Sequence, residues 1–363
     1  MRILIDIGHP AHVHLFRNLY KSLIDDGHFV IVTTRDIPIA KKLLFLYDIP
    51  FVSLGKKADG LLGKFFDLLN FGFQIFRLVK RHKINLAIGT SINIAHVSRF
   101  AKLTSFVFDD DDSEVQPLMK KYGHPFADFI VSPDVLDFER KASNHVTYPA
   151  YHELAYLHPK AFTPDVQVIK DFGIEEGEKY FILRFNAFKA HHDIGVSGLS
   201  IDQKRRLIEI LSKKGRVFVT SERNLDEELL KYQLSVSPEK MHSFIYFAHM
   251  LIGDSQTMTS EAAVLGTPSL RCNSFAGRIS YLEQQEKKYG LTYAFLPTEY
   301  DSLEAKLREL LAMADLKKDF AERRTKMLAD KIYSTPFFKD MIERYEEGKF
   351  DAKNIDFQKY MRC

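Results

Sequence analysis

The stretch from residue 250 to 270, MLIGDSQTMTSEAAVLGTPSL, carries the residue types that would hold a phosphorylated ligand. An apolar run at 250–252 leads into Gly253-Asp254-Ser255, and a helix is expected through about Leu265, stopped by Gly266 ahead of Pro268. Ser255, Gln256, Thr257, Thr259 and Ser260 crowd its start, and one carboxylate, Glu261, follows a turn and a half in. The first N–H groups of a helix have no acceptor within it and sit at the positive end of its dipole, so such a start attracts anions. An acid further along could hold ribose hydroxyls, as acids do in other nucleotide folds. The stretch reads as a nucleotide-diphosphate cradle. An ordinary strand–loop–helix turn with an N-cap is the alternative.

Open α/β sheets bind ligands beyond the carboxyl ends of their strands, so the residues after each apolar run matter most. After the run at 3–7 come Gly8, His9, Pro10, Ala11, His12 and His14. Glycine lets a ligand approach the backbone, and the histidines could act as bases or donors, or simply as capping and solvated residues. Gly89-Thr90-Ser91 closes a second run. After the run at 105–108 stand four aspartates, Asp109, Asp110, Asp111 and Asp112, then Ser113 and Glu114. Packed carboxylates repel, so a raised pKa is expected in at least one, suiting a general base or a metal seat. A solvated acidic turn that caps the next helix is the alternative.

The run at 180–184 ends in Arg184 and is followed by Asn186, Lys189, His191, His192 and Asp193. Cations there could neutralise a diphosphate leaving group. Adjacent histidines point differently and have no third ligand spaced with them, which makes a poor metal site. Ser221 and Glu222 follow the next run, and His242 opens the helix before the 250–270 unit.

Positioning these residues takes alternating strands and helices. Strands are expected at 3–7, 28–34, 51–54, 85–89, 105–108 and, as the last of the first half, 129–132, with helices at 12–26, 38–47, 65–83 and 94–103. A second alternation starts at 180–184 and continues through helix 201–213, strand 216–220, helices 225–232 and 241–248, the 250–270 unit, strand 292–296 and helix 302–313. Charged helical segments at 315–331 and 336–347 close the chain, with a frayed tail after Glu346. Such alternation predicts parallel sheets with helices on both faces. Residues 144–178 hold Pro149, Pro159 and Pro164 and mark a domain crossing.

At 363 residues, two domains are the default, and a net charge of +3 does not suggest nucleic-acid binding. Cys272 and Cys363 form neither a metal spacing nor a disulfide framework, which fits a reducing compartment. The apolar run at the N-terminus is too short for a signal peptide, and no stretch of eighteen uncharged apolar residues exists. A cytoplasmic location is expected. The helix at 65–83 is apolar nearly all round and carries Arg77, Lys80, Arg81 and Lys83, with Lys64 just before it. It could rest on the anionic inner face of a membrane, or pack between the sheet and a neighbour with its basic end on the surface.

Two alternating halves, a Gly/His loop after the first strand and the GDS…EAAVLGTP unit resemble the GT-B glycosyltransferase superfamily. Asp254-Ser255, Glu261-Ala262 and Leu265 through Pro268 are similar to a segment of the UDP-N-acetylglucosamine 2-epimerases, roughly D-S-G-G…E-E-A…L-G-x-P. Gly8 through His14 with AHVHLF is similar to the G-G-H-V-F loop of the lipid-linked N-acetylglucosaminyltransferase of peptidoglycan synthesis. The segment KRHKINLAIGTSINIAHVSRFAKLTSFVFDDD is similar in layout to the epimerase stretch that supplies catalytic acids. YPAYHELAYL, the 184–193 run and IGDSQTMTSEAAVLGTP look most like a little-characterised prokaryotic family of this fold. There are departures from the epimerases. Their strand-end Asp is replaced within Gly89-Thr90-Ser91, their His-x-Glu-Ala-Gly segment by the aspartate run, and the glycines after Asp-Ser by Gln256 and Thr257.

The resemblance implies two Rossmann-like domains with parallel sheets facing across a cleft. Residues 1–150 would form the acceptor side, 151–335 the nucleotide-sugar side, and 336–363 a helix crossing back with the tail. It also implies that Ser255 and neighbouring amides bind diphosphate, Glu261 the ribose, and Arg184 or Lys189 the phosphates. The expected function is glycosyl transfer from a nucleotide-diphosphate sugar to a sugar or lipid-linked acceptor, in cell-surface polysaccharide or glycolipid synthesis. Asp109, Asp110, Asp111 and His12 are the catalytic candidates. Gly253, Asp254, Ser255, Gln256, Thr257, Glu261, Arg184, Lys189, His192, Glu222 and His242 would bind the donor, and Gly8, His9, His14 and Ser91 would lie on acceptor-side loops. No metal or other cofactor is expected. An epimerase or hydrolase acting on the sugar nucleotide is the alternative, and a non-catalytic sugar-nucleotide binder a third.

Overall fold

The computed structural model describes residues 1–56, 61–185, 198–221 and 225–361. It divides into two units, one made of Met1–Ala161 with Lys331–Cys363, the other of Phe162–Asp330. Residues 151–161, expected with the second half, fall in the first unit.

The first unit holds strands β1 (Arg2–Ile7), β2 (Phe29–Thr34), β3 (Phe51–Ser53), β4 (Leu86–Gly89), β5 (Thr104–Phe108), β6 (Phe129–Pro133) and β7 (His145–Tyr148). They form one parallel sheet in the order β3-β2-β1-β4-β5-β6-β7. Strands covered on both faces read as continuous apolar runs, and residues 3–5, 86–88 and 106–108 are fully buried. Helices α1 (Pro10–Asp25), α2 (Pro38–Leu46), α3 (Leu61–His82), α4 (Ile92–Phe100) and α5 (Pro117–Tyr122) make the crossovers. The chain leaves β1 for β2 on one side and returns to β4 on the other. The loops after β1 and β4 therefore open side by side, at the switch point where ligands bind in such sheets.

The second unit holds β8 (Tyr180–Phe185), β9 (Arg216–Ser221), β10 (Met250–Gly253), β11 (Ser269–Cys272) and β12 (Thr292–Phe295), parallel in the order β12-β11-β10-β8-β9. Its helices are α6 (Gln167–Lys170), α7 (Ile201–Ser212), α8 (Met241–Phe247), α9 (Gln256–Leu265), α10 (Ser280–Lys287), α11 (Tyr300–Ala312) and α12 (Leu316–Asp330). Here the switch point lies between β8 and β10, which brings Arg184 beside Gly253. A Cβ at Gly253 would stand 2.0 Å from the Arg184 carbonyl oxygen, so only glycine lets these strands pass. The chain then rejoins the first unit through α13 (Ser334–Glu346), which packs on α1, and α14 (Gln358–Met361).

Three expectations change. A seventh strand, β7, extends the first sheet past the expected last strand, inside the segment read as a domain crossing. Its alternating burial, with Val146 and Tyr148 inside, is that of an edge strand and gives no apolar run to detect. The segment at 225–232 forms a short 3-10 helix, Glu227–Tyr232. The tail is not frayed throughout: Tyr360 is buried, and its ring meets Phe337 at 5.6 Å.

Helix α3 packs one face against its neighbours and leaves another exposed. Phe71, Ile75 and Val79 recur at helical spacing and pack into the core with Ile94 and Val97 of α4. Phe66, Leu69 and Phe73 face solvent, and Arg77 and Lys80 continue that exposed stripe. Among the described residues no helix is long and apolar enough to cross a membrane.

Candidate functional site

In the first unit the switch point is built on a buried ion pair that sequence reading missed. Arg35, just after β2, meets Asp6 of β1 at 3.0 Å, and both are shut away from water. Arg35 also donates to the Ile7 carbonyl and to the Ser91 hydroxyl, each at 3.2 Å. Ser91 in turn caps α4 by accepting the Asn93 N–H. The pair braces the loops carrying Gly8 and Thr90 from below. Asp6 sits inside an apolar run and Arg35 one residue beyond another. A charge inside one apolar run and a charge of opposite sign just beyond the next was the available signal.

His12 lies in the first turn of α1. Its Nδ1 accepts the Gly8 N–H at 3.2 Å, and the Thr90 hydroxyl is 2.6 Å from the same nitrogen. Burial and the neighbouring His9 push its pKa well down. A neutral ring whose Nδ1 accepts carries its proton on Nε2, and that nitrogen lies 2.9 Å from the same Thr90 hydroxyl. His9 accepts the Ala11 N–H and caps α1. His14 is not on a loop as expected. It is buried on α1 and stacks on Tyr156 at 5.3 Å, a position set by the helical repeat.

The aspartate run separates into different roles. Asp109 is buried and held by Arg140 at 2.9 Å and by His124 at 2.7 Å, which ties it into the loop after β5. Asp112 is also buried. Asp110 keeps 29 % of its side chain exposed and meets His152 Nδ1 at 3.1 Å. Burial alone would raise Asp110, but His152 and His12 hold it below the usual carboxylate range. Burial alone would lower His152, but Asp110 raises it. Nε2 of His152 is buried with no hydrogen-bond partner. Asp111, half-buried and accepting from Gln116, is pushed up to about 7 by burial and by the charge of Asp110. Two adjacent carboxyls with ionisations driven apart, beside a histidine whose pKa is raised, could serve as an acid–base set. His152 lies 42 residues from Asp110 in YPAYHELAYL, and no spacing linked them.

In the second unit Ser255 caps α9 by accepting the Met258 N–H at 3.4 Å. The N–H groups of Gln256 and Thr257 have no acceptor among the described residues. Asn273 holds the Asp254 carbonyl at 2.8 Å and fixes the turn. Gly266 ends the helix at φ 76°, the left-handed cap that glycine adopts freely. Glu261 is buried and meets His242 of α8 at 3.0 Å. Arg184 donates to Thr220 at 3.2 Å. Lys189, His192 and Glu222, with Asn186, His191 and Asp193, lie outside the described residues. Among the described residues no group of three His, Cys, Asp or Glu side chains is placed to hold a metal ion.

The family described as "Protein of unknown function (DUF354)" matches residues 1–284. An uncharacterized protein of Methanocaldococcus jannaschii is 25% identical over 301 residues, covering 78% of this chain and 85% of the relative. Among solved structures, the UDP-GlcNAc 2-epimerase from Neisseria meningitidis bound to UDP-GlcNAc matches with a TM-score of 0.70 at 13% identity, covering 96% of this chain and 100% of that one. The glycosyltransferase SsfS6 of Streptomyces sp. SF2575 matches at 0.59 and 12% identity, over 94% of this chain and 99% of that one. The likeness shows the fold: the α/β architecture is GT-B, as the sequence resemblance implied.

Proposed function

We propose that this chain, which belongs to the DUF354 family, transfers a glycosyl group from a nucleotide-diphosphate sugar to a hydroxyl of a sugar or lipid-linked acceptor. The observation that carries the reading is the pairing of Asp111, poised at about 7, with the Asp110–His152 ion pair beyond β5. A carboxylate with that pKa is matched to taking the proton of an acceptor hydroxyl near neutrality. As the hydroxyl oxygen bonds to the anomeric carbon, the glycosidic electron pair leaves with the nucleoside diphosphate. The start of α9 and Arg184 would balance that charge, and Glu261 would take the ribose.

The test measures nucleoside diphosphate release from a panel of sugar nucleotides, with and without acceptors. Asp111→Asn should cut turnover by about 100-fold or more while leaving sugar-nucleotide affinity unchanged. Release that is equally fast in Asp111→Asn would sink the assignment. Activity should survive chelation by EDTA if helix and arginine alone balance the leaving group.

A second reading, epimerisation of the sugar nucleotide itself, is favoured by the same set. A base at about 7 beside a histidine whose pKa is raised suits removal and return of a proton at one sugar carbon. Solvent deuterium entering the sugar with no acceptor present would select it. Peripheral contact with an anionic membrane belongs to the transferase reading, through the exposed stripe Phe66, Leu69, Phe73, Arg77 and Lys80. Co-flotation with phosphatidylglycerol vesicles, reduced in Phe73→Ser, is the corresponding measurement.

A further inference from the structure

Arg271 is 1% exposed, and its Nε and Nη1 are buried without a hydrogen-bond partner. Arginine stays charged in proteins, and an ion withdrawn from water without an acceptor is costly. Its surroundings offer little relief. Tyr281, Glu283 and Glu286 of α10 are the groups whose charge acts on it. Glu283 is engaged by Lys287 at 2.7 Å, and Glu286 accepts the Ala294 N–H at 3.1 Å.

The place of Arg271 in the fold says what could complete it. Arg271 is in register with Gly253, and Gly253 with Arg184, so the two arginines lie on one sheet face with a glycine between them. Ser269, two residues earlier on β11, shares that face and donates to the Thr259 carbonyl of α9 at 3.3 Å. This face is therefore the one that α9 covers. Two strand residues advance about 6.6 Å. Because α9 runs back against the strands, that distance corresponds to about four helical residues from Thr259 toward the helix start. By this spacing Arg271 stands level with the first turn of α9, where Gln256 and Thr257 present their amides.

We propose that Arg271 is the buried cation of a phosphate seat at the start of α9, taking the diphosphate of the ligand. The proposal rests on the sugar-nucleotide reading for the organic part of that ligand, but not for its anion. An incoming phosphate supplies the acceptors that the guanidinium lacks, and the fork of Arg271 binds phosphate oxygens in pairs.

Calorimetric titration of the full chain with inorganic pyrophosphate and with UDP tests it, in the wild type, Arg271→Met and Arg271→Lys. Arg271→Met should lose at least about tenfold in affinity for both ligands, with Arg271→Lys between it and the wild type. Without ligand, Arg271→Met should melt no lower than the wild type, because it removes an unpaired buried charge. Pyrophosphate binding that depends on Arg271, with UDP binding no tighter, would keep the seat and discard the nucleotide. UDP binding that is untouched in Arg271→Met overturns the seat and leaves the nucleotide reading standing. A wild type that binds neither probe overturns both. Should Arg271→Met fail to fold, that failure contradicts the unpaired cation, and Arg271→Lys binding both probes like the wild type completes the refutation.

Discussion

Asp110 Oδ2 and His152 Nδ1 stand 3.1 Å apart, and this ion pair ties the loop after β5 to the 3-10 helix His152–Ala155. The carboxylate fixes the ring so that its second nitrogen, Nε2, is the one left to act. Asp110→Asn removes the charge that raises His152, and the pKa of the ring should then fall, since burial alone drives it down. Proton NMR of the His152 ring across pH reads this directly. A wild-type value above 6.5 that stays put in Asp110→Asn would show that the pair does not control the imidazole.

Asp111 sets a second pH signature. If its ionised form is the base, turnover should climb as pH rises through about 7 and fall again where His152 loses its proton. Stability runs the opposite way. The folded pKa lies above the unfolded one, so the native state holds the extra proton between them. The stability that this proton gives is full below the unfolded value, near 3.8, and is lost as pH rises to about 7. Melting temperatures of Asp111→Asn relative to wild type should therefore rise from pH 4 to 7 and level off above. A constant difference across that range would refute the raised carboxyl.

The legible parts of this molecule are those set by local rules. The runs at 3–7 and 250–252 announce buried parallel strands, and Ser255 and Gly266 bracket α9 as N-cap and left-handed C-cap. The aspartate run was visible, but its division of labour was not. Arg140 and His124, which claim Asp109, and His152, which claims Asp110, arrive from 31, 15 and 42 residues away through tertiary packing. The same limit hid Arg35 and Asp6. Helical spacing explains why His14 points inward, although its place beside His9 and His12 made it look like a loop residue. Arg271 carried no motif, because its meaning lies in what fails to surround it.

Asp109 and Asp110 are neighbours with opposite expected phenotypes. Asp109→Ala would take one of its two carboxylates from Arg140, whose side chain is 1% exposed and keeps Glu139 at 2.7 Å. The expected loss, a buried hydrogen-bonding partner shared by Arg140 and His124, is about 1–3 kcal/mol of unfolding free energy. Asp110→Ala breaks a pair that is partly open to water and should cost about 1 kcal/mol or less, with the loss appearing in turnover instead. Urea unfolding of the two variants separates them. Equal destabilisation would mean that the run acts as one structural unit.

Glu261 and His242 pair at 3.0 Å inside the second unit, so the proposed ribose ligand also serves α8–α9 packing. A single Glu261→Ala result would mix the two roles. Glu261→Gln keeps an acceptor for His242 and most of the shape, and should cost about 1 kcal/mol of stability. Ribose recognition by a carboxylate is more demanding, because a charged acceptor holds hydroxyls about twice as strongly as a neutral one. UDP at a hundred times its dissociation constant should stabilise the wild type by about 2.7 kcal/mol. That stabilisation should shrink markedly in Glu261→Gln, while stabilisation by pyrophosphate, which has no ribose, should be unchanged. Thermal shift measured with both ligands reads the contrast. Parallel loss of both would assign Glu261 to the fold of the cradle, and retention of both would remove it from the nucleotide site.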